Sequence, residues 1–244
     1  MNSRILVTLD GSELAECALP WALYLAELKG LEIELLRCFE SPEKVFLVTD
    51  FLKSDSDKEP AEVIREKVLA YLEKKAAETE SPTTVSALEG DPASQILERV
   101  AATDVDTMVM ATHGRSGLGR WLLGSVATKV ARGVGSTPVL FVKAAEQRRT
   151  PKLERILVPL DGSQTAEAAI PHAVALAEKT GATVLLYQSI SFAPLGHPNL
   201  DASSRIEAAE GHKYLTSIKS RYPDTRFEVE AQITGLGGVI VARG

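Results

Sequence analysis

Apolar positions along the chain follow two alternating rhythms. A short unbroken run of β-branched residues and leucine at 5–9 suits a strand buried on both faces, a second apolar run at 33–38 reads as the next strand, and 83–88, 107–110 and 138–142 read as three more. Between them the apolar positions open to helical spacing. In 61–79 they fall at Val63, Ile64, Val68, Leu69 and Leu72, and further helices are expected at 93–102 and 125–132. The first strand runs into Asp-Gly-Ser, where Ser12 can cap a helix that continues to Gly30, the expected stop. Residues 41–60 carry charges together with Pro42 and Pro60 and read as a loop over the carboxyl edge of a sheet. Strict alternation of strand and helix implies an α/β fold with a doubly wound, parallel, five-stranded sheet.

The opening is written twice. Residues 4–30 and 155–181 align without a gap and are identical at 17 of 27 positions, which marks an internal duplication. In the second copy, strands are expected at 156–160 and 183–187, a helix at 205–220 and a third strand at 226–233. Ser163 and Gly181 stand in the places of Ser12 and Gly30. No counterpart of residues 115–142 is present in the second copy. Its ending, "GLGGVIVARG", reads either as the start of a helix or as a fourth strand that halts at glycine, in a fragment or a naturally short repeat. The expected organisation is a complete domain at 1–145, a polar linker at 144–152 and a truncated second copy at 153–244.

Charge narrows the classes of partner. A formal net charge of -6 argues against broad binding of nucleic acid or of an anionic membrane, each of which needs a basic face. No apolar run approaches the ~20 residues of a membrane span, and the apolar start is too short for a signal-peptide core, so a cytoplasmic location is expected. Cys17 and Cys38 lack metal-ligand or redox-pair spacing and are expected to be buried, reduced thiols. His172, His197 and His212 lie in different elements without carboxylate partners at usable spacing, so no metal site is expected. Nor does any nucleophile, base and orienting group occur at recognisable spacing, so no catalytic residue is assigned.

One stretch has no duplicate. "ATHGRSGLGRWLLGSV", residues 111–126, follows a predicted strand and precedes a predicted helix. Gly114, Gly117 and Gly119 allow backbone amides to approach an anion, and Gly124-Ser125-Val126 would present amides at a helix amino terminus. Arg115 and Arg120 could offset phosphate charge, or point into solvent. His113 is as often a loop contact as a phosphate ligand, and Trp121, Leu122 and Leu123 read as packing residues. A P-loop would require lysine where Ser125 stands, and the dinucleotide fingerprint requires its glycines after the first strand. A polyphosphate held outside both of those motifs is the natural guest.

With the Asp-Gly-Ser turn and the late "HGRSG…LLGSV" segment, the chain resembles the universal stress proteins, in their tandem form and ATP-binding branch. The family pattern G-x2-G-x9-G-[S/T] reads here Ala111-x2-Gly114-x9-Gly124-Ser125, with alanine in place of the first glycine. The resemblance implies an adenine nucleotide alpha hydrolase-like fold in the first copy. It places Asp10 toward the nucleoside, Cys38 beside the adenine, and Gly114, Gly124, Ser125 and Val126 around ribose and phosphates, with Ala111 at the departure from the pattern. It also implies a homodimer paired through the fifth strand. The function then expected is stress-response regulation by binding ATP or a related adenine nucleotide in the first copy, with Asp161 only a turn residue. Two alternatives stand beside it. One is slow ATP hydrolysis, with Asp10 positioning a magnesium ion or water; the other is a nucleotide-independent scaffold, for which Ala111 and the short second copy are the motivation.

Overall fold

The computed structural model describes residues 3–40, 59–112, 123–143, 151–191 and 200–234. The chain divides into two compact units, Met1–Pro151 and Lys152–Gly244. In the first, the elements are β1 (Arg4–Thr8), α1 (Glu13–Glu16), α2 (Ala18–Lys29), β2 (Glu32–Phe39), α3 (Pro60–Ala77), β3 (Thr83–Glu89), α4 (Pro92–Ala102), β4 (Val105–Ala111), α5 (Ser125–Gly133) and β5 (Val139–Val142). All strand pairs are parallel, in the order β3-β2-β1-β4-β5. The chain winds outward from β1 through β2 to β3, crosses back, and continues through β4 to β5. The winding therefore reverses between β1 and β4, and this switch point is where an open α/β sheet leaves a crevice at its carboxyl edge.

The second unit repeats the first half of this plan. Its elements are β6 (Arg155–Leu160), α6 (Gln164–Glu167), α7 (Ile170–Thr180), β7 (Thr183–Ser191), α8 (Leu200–Lys219) and β8 (Phe227–Thr234). They form a parallel three-stranded sheet in the order β6-β7-β8. Val158, Leu160, Val184 and Leu186 of the sheet form one buried cluster with Ile170, Val174, Leu215 and Ile218 of the helices. The two readings of the ending at 235–244 lie outside the described residues, as do nearly all of the loop expected at 41–60 and most of the expected linker.

Burial on both faces explains the unbroken apolar run of β1 and the adjacent leucines of β2. Ile5, Leu6 and Val7 of β1 have no exposed surface, and neither have Leu35 and Leu36 of β2. Successive residues point to opposite faces. On one face Leu6, Leu36, Met108 and Met110 pack with Ala93 and Ile96 of α4 and Ala127 and Val130 of α5. The other face meets α2 and α3, whose buried side chains include Ala22, Leu25, Val68 and Leu72. Each fully buried leucine or isoleucine contributes about 1.5–3 kcal/mol relative to its exposed state.

Three local features differ from the sequence reading. The helix after each Asp-Gly-Ser is not continuous: α1 gives way to α2 at Cys17, and α6 to α7 at Ala168 and Ala169. Pro20 and Pro171 explain both breaks, because each lacks the N–H that would donate to the carbonyl four residues back, at Glu16 and Glu167. Helix α3 starts at Pro60 itself, which suits a first-turn position where no N–H is needed. The cysteines are free, as expected, but both are only half-buried. The expected stops hold: Gly30 and Gly181 close their helices in the left-handed region, at φ 67° and 73°.

A fourth feature lay hidden inside an apolar run. Glu34 of β2 is completely buried on the face shared with Leu6 and Leu36. Its carboxylate accepts from Ser86 Oγ at 2.7 Å, from Arg4 Nη1 at 3.2 Å, and from Arg99 Nε and Nη2 at 2.8 and 2.7 Å. This cluster ties β1, β2, β3 and α4 together near the amino end of the sheet, away from the crevice. A buried carboxylate left without its cations is far costlier than the pair is stabilising. Arg99→Met is therefore expected to destabilise the first unit by about 3 kcal/mol, and Arg99→Met with Glu34→Leu by less than Arg99→Met alone. Urea denaturation followed by tryptophan fluorescence checks this, since Trp21 and Trp121 both belong to the first unit.

Candidate functional site

At the carboxyl edge of the first sheet lies a cavity of about 300 Å³. Strands β1, β2 and β4 supply its floor through Thr8, Leu36, Cys38, Met110 and Ala111, and Pro92 and Ile96 of α4 and Val126 and Ala127 of α5 form a wall. Asp10, Gly124 and Ser125 complete the polar part of the lining. The chain reaches this point at the switch between β1 and β4, and the crevice opens there because the two strands send their crossovers to opposite sides.

The Asp10 turn is built by local hydrogen bonding. Asp10 Oδ1 accepts from the Ser12 amide at 2.8 Å and from Ser12 Oγ at 2.6 Å, while Ser12 Oγ accepts from the Ala15 amide at 3.1 Å and caps α1. Gly11 between them has φ +85°, which an L side chain rarely adopts. Asp161, Gly162 and Ser163 repeat the turn: Asp161 Oδ1 accepts from the Ser163 amide at 2.9 Å, and Ser163 Oγ caps α6. These bonds hold the Asp161 carboxyl below its usual range, mainly through the Ser163 hydroxyl and amide.

Opposite Asp10, the amino end of α5 faces the cavity without a side-chain cap. Gly124 precedes the helix at φ -57°, ψ 161°, and makes no side-chain capping bond, whereas Ser12, Asp91 and Ser163 cap their helices. The Gly124 amide donates to Thr112 O at 2.8 Å and so ties the two ends of the intervening segment together. Its φ is one that any residue adopts, so the glycine is not required by conformation. The first amides of such a helix form a partial positive charge aimed along its axis, the ordinary setting for an anion.

Cys38 Sγ donates weakly to Pro92 O at 3.8 Å. Burial, reinforced by the negative charge of Asp91, pushes its thiol up to about 11. The group is thus a neutral, shape-filling wall at physiological pH. Of the residues singled out from sequence, Asp10, Cys38, Ala111, Gly124, Ser125 and Val126 share this one cavity. Gly114, His113, Arg115, Gly117, Gly119, Arg120, Trp121 and Leu122 lie outside the described residues. Sequence pattern does not reveal the apolar contributions of Leu36, Ile96 and Met110, because a core residue and a cavity-lining residue leave the same hydropathy signal. Among the described residues no group of histidine, cysteine and carboxylate side chains could hold a metal ion, and no helix is long and apolar enough to cross a membrane.

The profile of the Universal stress protein family matches residues 1–143 and again 152–240. The chain belongs to the universal stress protein family. It carries two segments of that family, one with the five-stranded sheet and one with the three-stranded sheet. It is 30% identical over 151 residues to Universal stress protein YxiE of Bacillus subtilis, covering 59% of this chain and 100% of that protein. A universal stress protein of Mycolicibacterium smegmatis is 24% identical over 230 residues, 91% of this chain and 76% of its own length. The crystal structure of a universal stress protein from Archaeoglobus fulgidus DSM 4304 superposes with a TM-score of 0.60 at 19% identity, covering 95% of this chain and 78% of that one. That likeness shows the fold.

The Cys38 environment gives a chemical test. A thiol raised from 9.0 to about 11 holds about 100-fold less thiolate at neutral pH. Alkylation of Cys38 by iodoacetamide at pH 8, followed by peptide mass spectrometry, is expected to lag a model thiol by about that factor and to speed up only as pH climbs toward 11.

Proposed function

We propose that the first copy binds ATP or a related adenine nucleotide, with magnesium as its companion ion, and that the protein acts as a stress-response regulator through this binding. The observation that carries the reading is the pairing, across one cavity, of the Asp10 carboxylate with the uncapped amino end of α5. A nucleotide has the complementary chemistry. Its ribose hydroxyls donate to a carboxylate, its base fills an apolar slot such as the one between Leu36, Ile96 and Met110, and its phosphates accept from helix amides. In this assignment Asp10 takes the ribose, Cys38 lies along the base, and Gly124, Ser125 and Val126 take the phosphates beside Gly114. Ala111 adds only a methyl group to the floor. The chain's resemblance to the ATP-binding branch of the family, carried by the Gly114-x9-Gly124-Ser125 pattern, supports the same placement.

Calorimetric titration of the full chain with ATP and magnesium is expected to give one site per chain. Asp10→Ala is expected to weaken it and Asp161→Ala to leave it unchanged, since the Asp161 carboxylate is exposed and engaged by its own turn. Gly124→Val is expected to abolish binding without unfolding the protein, because valine tolerates that backbone conformation while its side chain fills the phosphate space. At ligand a hundredfold above Kd, the wild type gains about 2.7 kcal/mol of stability, and this gain is absent in Gly124→Val. Release of inorganic phosphate from the same mixtures separates binding from slow hydrolysis, and a melt unmoved by nucleotide favours the scaffold.

The same reading extends to assembly. Strand β5 ends the five-stranded sheet with Val139, Leu140 and Phe141 half-buried, and an apolar strand at a sheet edge invites pairing. A homodimer through Val139–Val142 is the expected state. Light scattering of the full chain checks it, and Val139→Pro, which removes an amide that faces away from β4, is expected to yield a folded monomer.

A further inference from the structure

The two Asp-Gly-Ser turns have the same local hydrogen bonds and different surroundings. Behind the first, on the face of β2 opposite Cys38, stands Arg37. A Cβ built on Gly11 would lie 2.6 Å from Arg37 Nη1 and 2.8 Å from both Cζ and Nη2, so the guanidinium lies flat against the bare glycine. Arg37 Cζ also lies over the Tyr71 ring of α3, 5.0 Å from its centroid. Tyr71 Oη donates to Glu16 Oε1 at 3.0 Å, and Lys75 Nζ meets Glu16 Oε2 at 2.9 Å. Arg37 is thus held between the turn and a helix.

The electrostatics place Asp10 within the same group. Burial and the Glu16 hydrogen bond push the Tyr71 phenol up, Arg37 draws it down, and Asp10 pushes it up again. Glu16, Arg37 and Asp10 therefore all act on the Tyr71 phenol.

The duplication supplies a control inside the chain. Glu16 and Tyr71 have counterparts in Glu167 and Tyr214, which are bonded at 2.9 Å, with Arg221 Nη2 on the other Glu167 oxygen at 2.9 Å. The strand position of Arg37 is taken by Gln188: Arg37 pairs with Ala87 of β3, and Gln188 with Ala231 of β8. Gln188 Oε1 is buried with no hydrogen-bond partner in the described structure. Gly162 has the φ of Gly11, +84°, yet a Cβ there would meet nothing within 4 Å. Asp161 and Gly162 are exposed where Asp10 and Gly11 are half-buried. The clamp between helices was kept in both copies, and the arginine that backs the turn occurs in one.

We infer that Arg37 is a positioning residue for nucleotide binding: its cation, packed behind Gly11, holds the Asp10–Ser12 turn in the orientation that presents Asp10 to the ligand. This rests on the nucleotide reading of the cavity. Arg37 does not line the cavity, so its effect passes through the turn. Gln188 at the same register leaves the second turn as an exposed helix cap and no more.

The test uses the full chain and ATP with magnesium. Arg37→Gln, which installs the second copy's residue in the first, is expected to weaken ATP binding about tenfold, the order of one lost charge-assisted contact. In the protein without nucleotide, the same variant is expected to speed amide hydrogen exchange at Ser12 while leaving Ser163 unchanged. Arg37→Lys, which keeps the cation, is expected to restore most of the affinity. A wild type that binds no ATP overturns the nucleotide reading and this role with it. If the wild type binds, the Arg37 assignment alone fails on any of three results: Arg37→Gln binds within threefold of wild type, Ser12 exchange is unmoved, or Arg37→Lys is as weak as Arg37→Gln.

Discussion

Pairing of β1 on both sides is the constraint from which the first unit follows. Its backbone meets β2 along one edge and β4 along the other, both parallel and nearly in step, so that Val7 stands beside Leu35 and Val109. A central parallel strand has no face left for water, which explains why Ile5, Leu6 and Val7 are wholly buried. Parallel pairing also forces every connection through a helix, and right-handed crossovers then place all strand ends that can carry chemistry on one edge. The cavity forms at that edge because β1 is the strand from which the winding departs in both directions. Asp10 lies two residues beyond the last residue of β1, and its position is therefore a consequence of sheet topology before it is one of side-chain chemistry.

The opposite edge has a different task. There Glu34 is buried under two arginines and a serine, drawn from three other elements. Such a cluster stabilises little in net terms, since desolvation offsets most of the attraction. Its effect is on register. Sliding β2 by one residue would turn Glu34 to the α2 and α3 face, away from Arg4, Arg99 and Ser86, and leave a bare carboxylate in a core. The ionic end fixes the alignment of β1, β2 and β3, and the cavity end inherits it. Leu36 and Cys38, two and four residues further along β2, line the cavity on the face that Glu34 selects.

Much of this architecture was legible in the chain because hydropathy rhythm and punctuation agree. The runs at 5–9 and 107–110 became strands, and Gly30 and Gly181 stopped helices in the left-handed conformation that their residue type favours. The helix breaks are legible too, because Pro20 and Pro171 are missing donors within a helix as well as members of the duplicated pattern. Glu34 and Arg37 were harder. Each is a charge within a strand, and periodicity assigns a face without saying that three partners from distant elements await it. The cavity residues divide in the same way. That a ligand would collect near residues 111–126 followed from a glycine-rich passage between strand and helix, whereas Asp10 and Cys38 entered through the family resemblance. No spacing in the sequence joins positions 10, 38 and 124; the parallel sheet does.

Duplication shows what a local motif can and cannot specify. The Asp-Gly-Ser turn folds alike in both units, with matching φ at the glycine, matching amide bonds to aspartate and matching serine caps, because those interactions are confined to a few consecutive residues. Everything that distinguishes the copies comes from residues remote in sequence. Arg37 arrives on the neighbouring strand, Tyr71 on a helix that begins more than forty positions beyond the turn, and the amides of α5 from over a hundred positions away. A carboxylate at a strand end is therefore only a helix-entry device until the sheet delivers partners around it. Asp161 shows that baseline state, and its lowered carboxyl needs nothing beyond Ser163 to explain it. What Asp10 has in addition is long-range: half-burial, a cation at its back, and the uncapped end of α5 across a cavity.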